Sequence, residues 1–464
     1  MEESWATLGV DLHLEPTGTG GLRRGLTDAL RDAVRTGRLA PGIRLPSSRA
    51  LAADLGIARN TVAEAYADLV AEGWLTARQG SGTRVAERAA VPPADRGAAP
   101  RHREPERPVH SLIPGSPDLA AFPRTEWLKA ARRALAAAPY HALGYGDPRG
   151  RPELRTALAG YLARVRGVRT DPEAVLIMAG FTHALRVIAA LLAARGVRTV
   201  AVESYGLDVH RGLLQQAELA TPALPFDELG TDTRELADAG AVLLTPAHQF
   251  PMGTPLQPDR RAAVVDWARR TGGLVLEDDY DGEFRYDRQP VGALQGLAPD
   301  RVIYFGTASK SLAPGLRLGW MALPPSVAEE AVAAKGGTDT VGVLEQLTLA
   351  EFITSGAYDR HVRSSRLRYR RRRDALAASV SARAPEVTVS GIAAGLHAVL
   401  RLPPGMEQSV IQAAAWQGLA LHGLSFHRHP QARAEPLDAL VVGYATPPDS
   451  AWAGALEALC RVLP

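Results

Sequence analysis

The chain has 464 residues, 46% hydrophobic and 22% charged, with a formal net charge of +3. Such values fit roughly two to four folded domains and exclude a disordered or low-complexity chain. One cysteine, Cys460, excludes an internal disulfide framework and a cysteine-built metal site; with no apolar run long enough for a membrane span and no basic-then-apolar leader in "MEESWATLGVDLHLEP", a cytoplasmic protein is expected. The positive charges are nearly all arginine, the side chain that forks onto phosphates and carboxylates.

The first predicted unit spans residues 15–86. In "LRRGLTDALRDAVRTG", Leu22, Leu26, Leu30 and Val34 form one helical stripe that ends at Gly37. "LAPGIRLP" is a turn, and Ser47 or Ser48 can cap a second helix carrying Leu51 and Leu55. After the Gly56 turn a third helix starts near Arg59, with Val62, Tyr66, Leu69 and Val70 facing inward. "WLTARQGSGTRV" reads as strand, glycine-rich tip and strand.

Residues 87–112 are rich in Pro, Ala, Arg and Glu and read as a linker. In residues 113–464, "AVLIMAG", "RTVAVES", "AVLLTPA", "GLVLEDD" and "RVIYFGT" are short apolar runs separated by helical stretches. That alternation predicts a largely parallel α/β sheet. One long helix is expected near residues 345–380, followed by a smaller α+β subdomain.

Two short helices joined by a glycine turn, followed by a β-hairpin, describe a winged helix-turn-helix. Arg59, Asn60 and Thr61 open the recognition helix, where arginine can read guanine and asparagine adenine. Ser47, Ser48 and Arg49 open the preceding helix, whose N–H groups suit a phosphate. The segment "GIRLPSSRALAADLGIARNTVAEAYADLVAEGWLTARQGSGTRV" resembles the GntR-family DNA-binding domain over nearly its whole length. The resemblance implies that Ser47, Arg49, Arg59, Asn60, Thr61, Gln79 and Gly80 contact double-stranded promoter DNA.

The second unit carries residue types that could hold an aldehyde cofactor. A lysine can form a Schiff base with an aldehyde cofactor if the ring is anchored beside it. Gly180, Phe181 and Thr182 in "MAGFTHALRV" open a helix and suit a phosphate. "LVLEDDYDGEF" ends a strand with Asp278, Asp279 and Tyr280: one acid could hold the ring nitrogen's proton, and the tyrosine could bond the phenolic oxygen. "FGTASKSLAPGLRLGW" sets Thr307 and Ser309 beside Lys310 and adds Arg317. Together these segments resemble the fold-type I aminotransferases. The resemblance implies that Lys310 carries the Schiff base, Asp278 holds the ring nitrogen and Tyr280 the ring oxygen. It further implies that Thr307, Ser309, Arg317 and the Gly180–Thr182 turn hold the phosphate, and that Tyr145 in "LGYGDPRGRPELR" reaches it from a neighbouring subunit, hence a homodimer.

The fusion, with "TPAHQFPMGTPL" and "EDDYDGEFRY", resembles the MocR/GabR-type transcriptional regulators, which implies a body that senses a small-molecule effector for two DNA-binding heads. Three positions depart from working aminotransferases. Val441 in "ALVVGYA" stands where an arginine usually grips the substrate carboxylate, Phe250 replaces the usual asparagine, and Leu207 the ring-stacking aromatic, with Tyr205 nearby. These changes favour a regulator over an active transaminase, with pyridoxal phosphate itself as effector, as in members of the PdxR type that regulate vitamin B6 synthesis; an amine or amino acid is the other effector class. Three features are left outside the site. The basic segment 360–374 reads as a solvated helix face or an auxiliary DNA-backbone contact, and His427 and His429 as a surface loop without metal. His183 and His248 fall near the cofactor segments with no acid–base role assigned.

Overall fold

The computed structural model describes residues 21–78, 82–87, 108–236, 239–286, 291–433 and 435–464. The chain divides into two compact units, Met1–Glu106 and Arg107–Pro464.

In the head, α1 (Leu22–Arg35), α2 (Ser48–Leu55) and α3 (Arg59–Ala71) precede an antiparallel hairpin, β1 (Leu75–Arg78) and β2 (Gly82–Val85). Leu26, Leu30, Val34, Leu51, Val62, Tyr66 and Leu69 share one buried core. Leu22 and Val70 differ from expectation: both are exposed, Leu22 as the first residue of α1 and Val70 one position round from the buried Leu69. Ser47 is the cap of α2, its Oγ accepting from the Ala50 N–H at 3.1 Å. The buried Tyr66 hydroxyl donates to the Pro46 carbonyl at 3.1 Å and so ties α3 to the turn that launches α2.

The body is a six-stranded sheet with a smaller four-stranded one. In chain order its site-bearing elements are α4 (Pro152–Arg166), β3 (Val175–Met178), α5 (Phe181–Ala194), β4 (Val200–Val202), α6 (Asp208–Gln216), β5 (Ala241–Leu244), β6 (Leu274–Asp278), β7 (Val302–Thr307) and β8 (Gly319–Ala322). The sheet order is β3-β8-β7-β6-β5-β4. All strands run the same way except β8, which is antiparallel to both neighbours. The strands are buried on both faces, as continuous apolar runs require.

The expected long helix is instead two, α7 (Val343–Thr354) and α8 (Ala357–Arg383). Gly356 between them has φ 69°, a left-handed turn that a continuous helix cannot contain. The smaller sheet has β9 (Thr388–Ser390), β10 (Ala398–Arg401), β11 (His422–Gly423) and β12 (Ala439–Val442) in the order β9-β10-β12-β11, with α9 (Glu407–Trp416) between β10 and β11. Of the expected linker, residues 88–107 lie outside the described residues. At its far end His110–Ser111 pairs with Leu419–Ala420 and Leu112 is buried, so those last residues pack on the body. Among the described residues no helix is long and apolar enough to cross a membrane.

Candidate functional site

Register brings the predicted cofactor segments together. Asp278 pairs with Phe305 across β6 and β7, Thr307 with Gly319 across β7 and β8, and Gly319 with Met178 across β8 and β3. The carboxyl ends of β3, β6 and β7 therefore lie along one edge of the sheet, with the start of β8 between those of β3 and β7, at the edge where open α/β sheets hold ligands. There a cavity of about 360 Å³ is lined by Phe181, Thr182, Asp278, Tyr280, Thr307, Ser309, Lys310 and Arg317.

Each group is positioned by its neighbours. Lys310 is half-buried and donates from Nζ to the Gly115 carbonyl at 2.5 Å. Burial lowers the proton affinity of its amine, and Asp278 and Asp281 offset this in part. The Thr307 hydroxyl accepts from the Ser309 N–H at 3.1 Å and lies 2.9 Å from the Ser309 hydroxyl, which fixes the turn before the lysine. Arg317 donates to the Ala179 carbonyl at 2.6 Å and to the Thr182 hydroxyl at 3.4 Å. Its guanidinium thus sits on the turn that opens α5, whose cap Gly180 makes no side-chain bond and leaves the leading amides open.

The two neighbouring acids go opposite ways. Asp278 lines the cavity, and among the described residues no donor bonds its carboxylate. Burial holds its pKa well above the ordinary value, with Lys310 pulling it down. Asp279 instead faces the core, bonded to Arg166 at 2.6 and 3.0 Å and to the Tyr304 hydroxyl at 2.7 Å. Tyr280 donates to the His248 carbonyl at 3.1 Å and lies 3.1 Å from His248 Nδ1, which is itself 2.8 Å from Asp281. His248, Asp281 and His397 bring metal-ligating atoms within 4.8 Å of one another, but this bonding makes His248 and Asp281 the support of the tyrosine.

These residues fit pyridoxal phosphate. A buried carboxylate without a donor suits a protonated ring nitrogen, a half-buried amine stands beside it, and an arginine crosses a helix N-terminus that suits a phosphate.

Tyr145 is fully exposed and stands outside this cavity. Val441 is wholly buried on β12 among Tyr205, Met252, Val399 and Leu424, and it does not line the cavity either. Phe250, Leu207 and Tyr205 do line it, and Tyr205 is buried. His183 accepts the Ala179 N–H at Nδ1, 3.2 Å away, which steadies the same turn.

The surface-loop expectation for His427 and His429 is overturned: they are 1% and 4% exposed. Gly206 N–H donates to the His427 carbonyl at 2.9 Å and His429 N–H to the Ser204 carbonyl at 2.8 Å, so the loop lies down on the segment after β4. Buried Glu407 of α9 accepts the Leu424, Ser425 and Ala439 N–H groups and anchors the turn before it. His427, with His210, Arg211, His397, His422 and Phe426, lines the cavity. Sequence reasoning missed this group, because its members come from α6 and the smaller sheet, far apart in the chain. The basic segment divides: Arg372 is buried against Asp118 at 2.9 Å, while Arg363, Arg370 and Arg371 are exposed.

In the head, Arg49, Arg59 and Asn60 are exposed and, among the described residues, their side chains make no bond within the unit. Thr61 is half-buried in the first turn of α3, whose cap Ala58 makes no side-chain bond. By contrast Arg23 is bonded to Asp68 at 2.7 and 2.9 Å, and Arg31 to Glu72 at 2.7 and 2.9 Å. Gln79 and Gly80 lie outside the described residues.

Comparison with known proteins agrees with both units. Residues 22–85 match the bacterial regulatory proteins of the gntR family, and residues 115–423 match aminotransferase class I and II. The HTH-type pyridoxine biosynthesis transcriptional regulator PdxR of Corynebacterium glutamicum is 35% identical over 405 residues, 87% of this chain and 88% of its own. The probable rhizopine catabolism regulatory protein MocR of Rhizobium meliloti is 33% identical, over 91% of this chain and 90% of its own. A Pyrococcus horikoshii kynurenine aminotransferase, solved in complex with PMP, superposes with a TM-score of 0.68 at 25% identity, covering 77% of this chain and 91% of that one. Head, body and relatives agree: the chain belongs to the HTH-type transcriptional regulators of the MocR/PdxR type, in which a GntR-family DNA-binding domain is joined to a class I and II aminotransferase domain.

Proposed function

We propose that the chain is a transcriptional regulator that binds promoter DNA through its head and pyridoxal phosphate through Lys310 of its body, with the cofactor itself as effector. The observation that carries the reading is one cavity lined by Lys310, Asp278, Tyr280 and Arg317, while Val441, at the position expected to grip a substrate carboxylate, is packed in the core. The PdxR relative is named for pyridoxine biosynthesis, and we infer the same control of vitamin B6 metabolism for this chain.

Bound pyridoxal phosphate supplies an aldehyde that condenses with a primary amine. Lys310 offers that amine, and burial enlarges its neutral, nucleophilic fraction. Asp278 would hold a proton at the ring nitrogen, and Tyr280, steadied by His248 and Asp281, would offer its hydroxyl to the ring oxygen in place of the His248 carbonyl. Arg317, Thr307, Ser309 and the leading amides of α5 would hold the phosphate.

The reading includes a homodimer in the cytoplasm, with residues 15–86 as head, 87–112 as linker and 113–464 as body. Tyr145 supports the dimer: with Tyr140 and Leu143 it forms an exposed apolar stretch, and the family resemblance sends it to a neighbour's phosphate. In the head, Ser47, Arg49, Arg59, Asn60, Thr61, Gln79 and Gly80 are the proposed DNA contacts.

The same cofactor residues would serve an active aminotransferase, and one experiment separates the two. Genomic DNA fragments retained by the full-length dimer are titrated with protein, with and without pyridoxal phosphate, and then with amino acids. A change in affinity or footprint with cofactor alone supports the sensor. Indifference to the cofactor, with steady turnover of an amino acid and a 2-oxo acid, supports the enzyme.

A further inference from the structure

Resting on the reading that Lys310 condenses with the cofactor, we propose that the start of α8 aims this lysine. Tyr358 and His361 are positioning residues that hold Ser311, the residue after Lys310, by its hydroxyl and its carbonyl.

A lysine amine sits at the end of a flexible stem, so its direction depends on how firmly its root is held. On the near side Thr307 and Ser309 fix the turn that leads into Lys310. On the far side Ser311 is buried, and α8 takes up both its hydroxyl and its carbonyl. The Tyr358 hydroxyl donates to Ser311 Oγ at 2.7 Å. His361 Nε2 lies 2.8 Å from the Ser311 carbonyl oxygen. A carbonyl only accepts, so Nε2 carries the proton and donates. Burial lowers the pKa of His361, which leaves its ring neutral with the tautomer set by this bond. Tyr358 and His361 are three residues apart and share one helix face, which opens directly after the left-handed Gly356.

Tyr358 is itself fixed. Its ring packs edge-on against Tyr161, with centroids 5.1 Å apart, and its hydroxyl also lies 3.3 Å from the Glu283 carboxylate. Burial first, and then the charge of Glu283, keep its proton in place. Glu283 follows Asp278 by five residues, and its carbonyl accepts from Arg366 of α8 at 2.9 and 2.6 Å. The same helix also reaches the segment on which Lys310 rests. Asp118, three residues after Gly115, donates its N–H to the Tyr369 hydroxyl at 3.1 Å and accepts from Arg372 at 2.9 Å. One helix therefore holds the root of the lysine, the segment of its acid and the segment that receives its Nζ.

The test uses the full-length protein and two ligands, pyridoxal phosphate and 4-deoxypyridoxine 5'-phosphate. The second carries a methyl group in place of the aldehyde, so it can use the ring and phosphate contacts but cannot condense with Lys310. A visible-band titration reads the first and calorimetry the second. Tyr358→Phe keeps the packed ring and removes only the hydroxyl. It is expected to weaken pyridoxal phosphate by about 5- to 10-fold and the methyl analogue by less than about 2-fold. His361→Leu is expected to act in the same way, and His361→Gln, which returns an N–H at similar reach, to recover most of the loss. A merely structural role weakens both ligands alike. Equal losses for the two ligands, or full affinity for pyridoxal phosphate in either Tyr358→Phe or His361→Leu, overturn the proposal. A wild-type band with unchanged variants sinks this inference alone, whereas absence of the band in the wild type sinks the cofactor reading beneath it as well.

Discussion

The guanidinium of Arg317 donates to the Ala179 carbonyl at 2.6 Å, and a Cβ on Gly180 would stand 2.7 Å from that guanidinium. Gly180 also has φ 82°, a conformation that side chains rarely adopt. Gly180→Ala therefore strains the turn and displaces the arginine. We expect cofactor affinity, read from a visible-band titration, to fall by about 10- to 100-fold as a charge-assisted contact is lost.

Asp278 and Asp279 should separate stability from binding. Asp279 forms a buried pair with Arg166, and removing it leaves that guanidinium unpaired. Asp279→Ala is expected to cost about 3–5 kcal/mol of stability in urea unfolding. Asp278 is a buried carboxylate whose burial disfavours its charge. Asp278→Asn should leave the cofactor-free protein as stable or more so, yet lower cofactor affinity by about tenfold or more.

In the head, free and paired arginines should behave differently. Arg59 and Asn60 make no bond within the unit among the described residues, and both sit at the start of α3. Arg59→Ala or Asn60→Ala should cost about 1–3 kcal/mol of binding to a retained DNA fragment and relax its base preference. Arg23→Ala, which removes an ion pair with Asp68, should leave DNA affinity unchanged when measured by anisotropy at fixed salt.

Buried Glu203 gives the body a pH signature. It accepts from Thr231 Oγ1 at 2.9 Å and from the Thr245 N–H at 3.1 Å, and burial raises its pKa from 4.5 to about 7. The folded chain therefore holds a proton that the unfolded chain has released, and stability falls as pH rises through this window. Histidines whose charge is disfavoured by desolvation act oppositely at lower pH, with half-buried His210 depressed to about 4, so the comparison must be with a variant. Glu203→Gln should match the wild type near pH 4.5 and become progressively more stable than it up to about pH 7, read by denaturant midpoints.

Much of this was legible in sequence because it is local. Apolar runs gave the parallel strands, and glycine and serine punctuation gave the helices of the head. Motifs at strand ends gave Gly180, Asp278, Tyr280, Thr307, Ser309, Lys310 and Arg317, which the sheet register then brings to one edge. The misses are non-local. Strand β8 was not anticipated, and the long helix was broken by one left-handed residue, Gly356. His427 is interior only because Glu407, from another helix, clamps its turn and residues 204–206 cover it. Val441 shows the opposite limit: its sequence position suggested a missing contact, while its packing shows a core side chain.

The most direct measurement is a visible absorption titration of the full-length protein with pyridoxal phosphate, with Lys310→Ala alongside. The account predicts a new saturable band in the wild type that borohydride fixes as one cofactor per chain, with neither the band nor the fixation in the variant. Identical spectra for the two proteins would contradict it.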